Sequence, residues 1–175
     1  TPALAALELY LPRAPVAGET PTAVGDHGVV GLLASGVPLA AAPFERNFDA
    51  CGGHVFLADR GYHYHSASSC VLAAMDVGGL DELLVGWALD GFGLYAVLDA
   101  AGALSDPMHD LDECRGAAVL GEYRYYVTAS LPHAPPCLRG AFEAPTRAVA
   151  SPLVACPKKG RNVTYFRNAT QLYDP

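Results

Sequence analysis

Two stretches of this chain repeat one pattern, and the repeat limits the fold more than any other feature. The first runs Asp49-Ala50-Cys51-Gly52-Gly53-His54, then Gly61-Tyr62-His63-Tyr64-His65, then Cys70. The second runs Asp112-Glu113-Cys114-Arg115-Gly116, then Glu122-Tyr123-Arg124-Tyr125-Tyr126, then Cys137. Each has a cysteine at either end, a glycine-containing turn after the first cysteine, and a Tyr-x-Tyr core. The first cysteine and first tyrosine lie eleven residues apart in one stretch and nine in the other. Chance does not readily place cysteines and tyrosines alike twice. The pattern predicts two related β-hairpin-like units, stacked about a pseudo-twofold axis. Spacing alone does not force a disulfide pairing, but the repeat favours Cys51 with Cys70 and Cys114 with Cys137, so that each unit carries its own staple. Cys156 is then left over, unpaired within the domain or bridged to another chain.

Eighteen glycines and fourteen prolines in 175 residues interrupt the chain too often for long helices. An apolar share of 51% excludes disorder through low hydrophobicity. The expected fold is mainly β: a compact, irregular, disulfide-stapled domain with short helical pieces. Residues 1–26 read as an extended N-terminal arm, 27–142 as the domain, and 143–175 as a polar, glycosylated C-terminal tail. Within the domain we expect a strand over 29–33, a turn at Gly36-Val37-Pro38 and a short helix over 75–84. A strand-turn-strand should follow over 86–96, around Asp90-Gly91.

The net charge is −7, and the only lysines are the adjacent Lys158 and Lys159. A nucleic-acid binder needs a basic footprint, which this sequence lacks, and an anionic membrane surface is an equally poor partner. Every apolar run is broken well short of the roughly 18 residues of a membrane-spanning helix. Five cysteines point to an oxidising compartment. Asn162-Val163-Thr164 and Asn168-Ala169-Thr170 both fit the acceptor pattern for N-linked glycans. Together these features indicate a secreted glycoprotein. The N-terminus has no basic region followed by a long apolar stretch, so any signal peptide has already been removed. The abrupt end at Pro175 reads as one part of a longer protein.

In a strand, residues two apart share a face. His63 and His65 should therefore point one way and Tyr62 and Tyr64 the other. Two imidazoles on one face form a bidentate clip for copper or zinc, and His54 supplies a third ligand if the chain folds back as a hairpin. The alternative is a buried His–Tyr–Asp network with Asp49 or Asp90 as acceptor. Other chemistry is less well supported. Ser66, Ser68 and Ser69 lie near His65 without a nucleophile elbow. His109 with Asp110, Asp112 and Glu113 offers a carboxylate pair for acid–base work or a solvated loop. A metal at His109 and His133 would be a different site altogether. There is no Cys-x-x-Cys and no phosphate-cradling glycine loop. Trp87 and the tyrosines read as core rather than as a sugar platform.

Cys51-Gly52-Gly53-His54 followed by Tyr62-His63-Tyr64-His65 resembles the signature of the YHYH-domain family. The resemblance continues in Gly36-Val37-Pro38, in Gly86-Trp87-Ala88-Leu89-Asp90-Gly91-Phe92-Gly93-Leu94-Tyr95 and in Leu111-Asp112-Glu113-Cys114, over about residues 28–142. It implies a secreted protein whose histidines are suspected of holding metal. Members usually repeat the Tyr-His-Tyr-His motif near the second cysteine pair. Here Tyr123-Arg124-Tyr125-Tyr126 has neither histidine, Gly116-Ala117 has none where His54 stands, and Gly93 replaces the usual proline. Arg124 cannot ligate a metal.

Two functions follow from the sequence. The leading expectation is an extracellular, non-enzymatic structural or assembly module, a subunit of a fibre or matrix. It rests on the degraded second motif, the odd cysteine and the apolar arm. Leu4, Leu7, Leu9, Tyr10 and Leu11 would be an aggregation liability if left free. Self-association through that arm, as a strand added to a neighbouring copy, is the favoured reading, and folding back on its own domain is the other. The alternative function is a secreted metal-binding protein using His54, His63 and His65 with copper or zinc. No cofactor is certain, and an enzyme is less favoured than either.

Overall fold

The structure, a computed structural model, describes residues 6–25, 28–41, 48–55, 61–75, 81–143 and 146–148. In chain order the strands of the first half are β1 (Ala6–Glu8), β2 (Thr22–Ala23), β3 (Val29–Leu33), β4 (Pro38–Ala40), β5 (Gly53–Val55) and β6 (Tyr62–Tyr64). One helix follows, α1 (Ser69–Ala73). The second half holds β7 (Glu82–Ala88), β8 (Gly93–Leu98), β9 (Leu104–Ser105), β10 (Gly116–Val119), β11 (Glu122–Val127), β12 (Cys137–Leu138) and β13 (Thr146–Ala148). The fold is mainly β, with two disulfides and a single short helix among the described residues.

Eight strands form one sheet in the order β10-β11-β8-β7-β3-β4-β6-β5, with β9 added alongside β8. That order is a palindrome of two four-strand halves. The central pair β3 and β7 is antiparallel, with Leu32 opposite Trp87. On either side a hairpin partner follows (β4 or β8), then a strand parallel to it (β6 or β11), then an antiparallel edge strand (β5 or β10).

The backbone hydrogen bonds obey the same twofold relation. Ala34 donates its N–H to Val85 O and Leu89 donates to Val30 O, both at 2.8 Å. Leu33 donates to Val37 O as Ala88 donates to Phe92 O. Gly36 and Gly91, at the two hairpin turns, have φ of 80° and 89°, the left-handed region that glycine enters without a steric penalty.

Alternation places the core. Leu83, Val85, Leu94, Ala96 and Leu98 are buried from β7 and β8, joined by Val30, Leu33 and Leu39 from β3 and β4. Tyr125 and Val127 of β11 complete the layer, and both are fully buried. The strand expected over 29–33 and the strand-turn-strand around Asp90-Gly91 are both present.

The helix expected over 75–84 is not where the sequence suggested. Residues 76–80 lie outside the described residues, and Glu82–Leu84 opens β7. The helix sits earlier because Ser68 caps it, accepting from Val71 N at 3.4 Å, while Val71 and Leu72 are buried against the core. Glu82–Ala88 instead follows a two-residue burial period, interrupted by a register shift between Leu84 and Gly86.

The described part of the arm is paired within its own chain. β1 pairs antiparallel with β13, and β2 with β12. Leu9 and Leu11 are half-buried against the core, and Gly18 donates to Arg139 O at 2.8 Å. The physical reason is burial of apolar surface by Leu9 and Leu11. Deleting residues 1–12 is therefore expected to lower the melting temperature by roughly 5 °C, from the apolar area lost with Leu9 and Leu11. Calorimetry checks this. An unchanged transition would show that the arm contributes no packing. Cys156, Asn162 and Asn168 lie outside the described residues.

Candidate metal centre

The first unit begins with Asp49. Its Oδ1 accepts from Cys51 N at 2.9 Å and Gly53 N at 3.0 Å, folding the turn that leads into β5. Its Oδ2 accepts from the Tyr62 hydroxyl at 2.7 Å, which ties the turn to β6. A Cβ at Gly53 would lie 2.2 Å from the Tyr62 hydroxyl oxygen, so only glycine admits the ring there. The Tyr62 hydrogen bond, with those from Gly53 and Cys51, holds the Asp49 carboxyl below its ordinary range. Burial, and then that same carboxylate, push the Tyr62 phenol up.

The pairing of β5 with β6 sets His54 directly opposite His63 and Gly53 opposite Tyr64. Side chains alternate as expected. The Tyr62 and Tyr64 rings meet edge to face at 5.4 Å, and the imidazoles of His63 and His65 meet at 4.8 Å. The His54 ring lies 4.8 Å from His63 and 5.1 Å from His65. The three rings therefore form a nearly equilateral triangle. All are buried, at 7%, 4% and 6% exposure. Phe48 covers the group, its ring 5.0 Å from His54 and 6.0 Å from His65.

The orientation of the rings matters more than their proximity. His65 Nδ1 lies 2.8 Å from Ala40 O, and His63 Nδ1 lies 3.1 Å from Gly61 O. A carbonyl only accepts, so each Nδ1 carries its proton and each neutral ring keeps its lone pair on Nε2. His65 Nε2 lies 3.1 Å from His54 Nε2. One potential ligand atom from each ring falls within 4.8 Å of the others, and among the described residues no other His, Cys, Asp or Glu group converges this way. A ligand imidazole commonly has its second nitrogen fixed by a carbonyl or carboxylate.

The acceptors expected for a His–Tyr–Asp network are taken otherwise. Asp49 binds Tyr62, and Asp90 binds Tyr125 at 2.6 Å and Gly140 N at 2.9 Å. The hydrogen bonds to these aspartates come from tyrosines and backbone amides, while His63 and His65 are anchored to backbone carbonyls and His54 lies near enough to Asp49 to help lower its pKa. His109 instead meets the Tyr126 ring at 5.0 Å, and His133 Nδ1 binds Thr128 O, so those two histidines are held apart from the trio's triangle by separate partners. Asp112 is occupied as a turn cap, accepting from Cys114 N, Gly116 N, Tyr123 and Arg139. Burial would raise the Asp112 pKa, and those donors outweigh it and lower it. Ser68 serves as the helix cap.

A disulfide joins Cys51 to Cys70, with Cα atoms 5.2 Å apart, so the histidine hairpin is closed by a covalent link just outside His54 and His65. A second joins Cys114 to Cys137. Replacing Cys51 and Cys70 together by serine is expected to cost about 3 kcal/mol through the freed chain entropy. It should also loosen the triangle. Denaturant unfolding checks the first effect. A midpoint within error of the parent protein would show that packing alone holds this unit.

The second unit reproduces the aspartate-capped turn of the first. Asp112 takes the place of Asp49, and Tyr123 that of Tyr62, with its hydroxyl 2.8 Å from Asp112 Oδ2. Gly116 sits opposite Tyr125 as Gly53 sits opposite Tyr64, and a Cβ at Gly116 would lie 1.9 Å from the Tyr123 hydroxyl oxygen. Ala117, Arg124 and Tyr126 then fall at the positions of His54, His63 and His65. Sequence reasoning missed Glu82, which joins this second group from β7. Its Oε1 accepts from Arg124 at 3.0 Å and from Tyr126 at 2.8 Å.

Residues 39–106 match the model of the family described as YHYH protein. The matched segment holds all three histidines, the Cys51–Cys70 link and Ala40, whose carbonyl anchors His65. No curated protein and no solved structure matches the chain. The motifs, the stapled hairpin and the matched segment agree, and residues 39–106 are similar to the YHYH family.

Proposed function

We propose that this chain is a secreted metal-binding module that holds one copper or zinc ion on His54, His63 and His65. The observation that carries the reading is the convergence of one ligand nitrogen from each of the three imidazoles within 4.8 Å, with His63 and His65 anchored through Nδ1 and His65 Nε2 3.1 Å from His54 Nε2. Two nitrogens each about 2.05 Å from one ion lie about 3.1 Å apart at an angle near 100°. The His54–His65 separation of 3.1 Å fits that edge. Three neutral imidazoles suit copper and zinc and are a poor match for calcium or magnesium, which prefer oxygen. An ion held this way cross-links β5 to β6 and leaves at least one coordination position for a further ligand.

Two disulfides and two sequons support secretion and N-linked glycans at Asn162 and Asn168. The assembly reading has less behind it, because the described part of the arm is paired within the chain. The test is elemental analysis of the chain after chelation, reloading and dialysis. One equivalent of copper or zinc, competing against a chromophoric chelator, is expected. No retained metal at neutral pH would overturn the proposal.

A further inference from the structure

β10 ends the sheet on the side away from the histidines, and its outer side borders a groove of about 820 Å³. Gly116 gives both of its backbone groups to Asp112: its N–H reaches Oδ1 at 2.9 Å and its carbonyl accepts from Asp112 N at 2.8 Å. Tyr126 N donates to Arg115 O on the opposite side, toward β11. Alternation along an antiparallel ladder then turns the N–H and carbonyl of Ala118 outward, where no described residue hydrogen-bonds them. Gly18 of the arm, Leu111, Val119 and Leu120 line the groove, together with Asp110 and Asp112.

Two features mark this edge as a contact surface. Leu120 stands in the hairpin turn at φ 54°, a left-handed position that asparagine and glycine fill more readily, and it is 97% exposed. A strained, fully exposed leucine is accounted for when a partner covers it. The second feature is charge. Arg139, the one Lys or Arg of the lining, is already paired with Asp112 at 3.0 Å and Glu113 at 3.4 Å. Asp110 and, beyond the turn, Glu122 are exposed. The groove therefore suits a basic occupant. Two copies of β10 set edge to edge would instead bring these carboxylates together.

We propose that residues 161–167 of the same chain lie in this groove as a strand added to β10. The chain's basic charge is concentrated there. Residues 149–175 hold four of the eleven Lys and Arg and one of the eighteen Asp and Glu, which gives them +3 and leaves −10 on the rest of the chain. Lys158, Lys159, Arg161 and Arg167 bracket Asn162-Val163-Thr164-Tyr165-Phe166, a run of strand-forming residues. In a strand Val163 and Tyr165 share one face and can enter the groove, while Asn162 and Thr164 share the other. A glycan on Asn162 then points to solvent. Nine residues separate Ala148, at the end of β13, from Lys158. They can span up to about 30 Å, twice the roughly 15 Å radius of gyration of a domain this size. So placed, the segment pairs with Ala118, covers Leu120 and closes an edge on which another chain could otherwise add.

Amide exchange of the full chain, resolved by residue, tests this, and none of its readouts involves the histidine trio. The Ala118 amide should exchange at least about tenfold more slowly in the parent than in V163D/Y165D, because only a docked strand bonds it. The Tyr126 amide, bonded to Arg115 O, should be equally slow in both and reports that the variant is folded. Asp110→Lys should speed exchange at Ala118 several-fold, and adding R161E/R167E should restore the protection. Fast exchange at Ala118 in the parent, or equal protection in V163D/Y165D, would overturn the proposal. Parent-like protection in Asp110→Lys would overturn the charge argument that selects this occupant. Protection that rises with chain concentration, alongside a dimer in sedimentation, would assign the edge to a second copy and overturn it likewise.

Discussion

Replacing His65 by alanine should weaken zinc or copper binding by more than the roughly hundredfold that loss of an outer-shell partner costs. His65 carries more than its own ligand atom. It is the ring fixed most firmly, by Ala40 O at 2.8 Å, and it is the one whose Nε2 approaches His54 within 3.1 Å. Its loss leaves two imidazoles on opposite strands and removes the contact with Phe48 that closes the group. His63→Ala should cost a similar factor, because its anchor at Gly61 O is of the same kind. Both rings are buried and hydrogen-bonded, so each change should also cost the metal-free protein about 1–3 kcal/mol. Competition titration measures the first effect and denaturant unfolding of the metal-free form the second. Equal affinity in His65→Ala and the parent would place the metal elsewhere.

The convergence of the histidine trio was legible in the sequence because the relations that define it are local. Period-two alternation puts His63 and His65 on one face, and a short loop brings His54 across from them. The Cys and Tyr repeats were legible for the same reason. The palindromic sheet was a different matter. Its two halves share Val30-Gly31 with Val85-Gly86, Gly36 with Gly91, and Leu39 with Leu94, each fifty-five positions apart. That signal was present but faint, since buried strands tolerate exchanges such as Leu33 for Ala88 provided that volume is kept overall.

The parallel contacts of β4 with β6 and of β8 with β11 carry no local mark at all, because the residues they join lie far apart in the chain. Glu82 escaped notice similarly: its partners Arg124 and Tyr126 lie 42 and 44 residues away. The helix was misplaced because Gly78 and Gly79 weaken any helix after Met75, whereas Ser68 caps the earlier turn. The arm's destination was a choice between two apolar surfaces that alternation alone does not separate.

Asp90→Ala should destabilise the fold by about 4 kcal/mol, the largest effect expected of a single side chain outside the metal centre. Asp90 is fully buried at the turn between β7 and β8, yet it holds a distant part of the chain. Its Oδ2 accepts from the Tyr125 hydroxyl at 2.6 Å and from Gly140 N at 2.9 Å, and its Oδ1 accepts from Phe92 N at 3.4 Å. The Tyr125 oxygen in turn accepts from Arg139 N at 2.6 Å. Truncation strands a buried hydroxyl and a buried amide and leaves a void beside them, while Tyr125→Phe removes one donor to Asp90 and the acceptor of Arg139 N and should cost about half as much. Asp90→Asn keeps one acceptor oxygen and should fall between the two. Ser35, the equivalent turn residue in the first half, is exposed and makes no such hub, so Ser35→Ala should be nearly silent. That contrast isolates the hub from the turn. Equal small shifts for Asp90→Ala and Ser35→Ala, read as urea midpoints at constant slope, would show that the second half is held by its strands and disulfide alone.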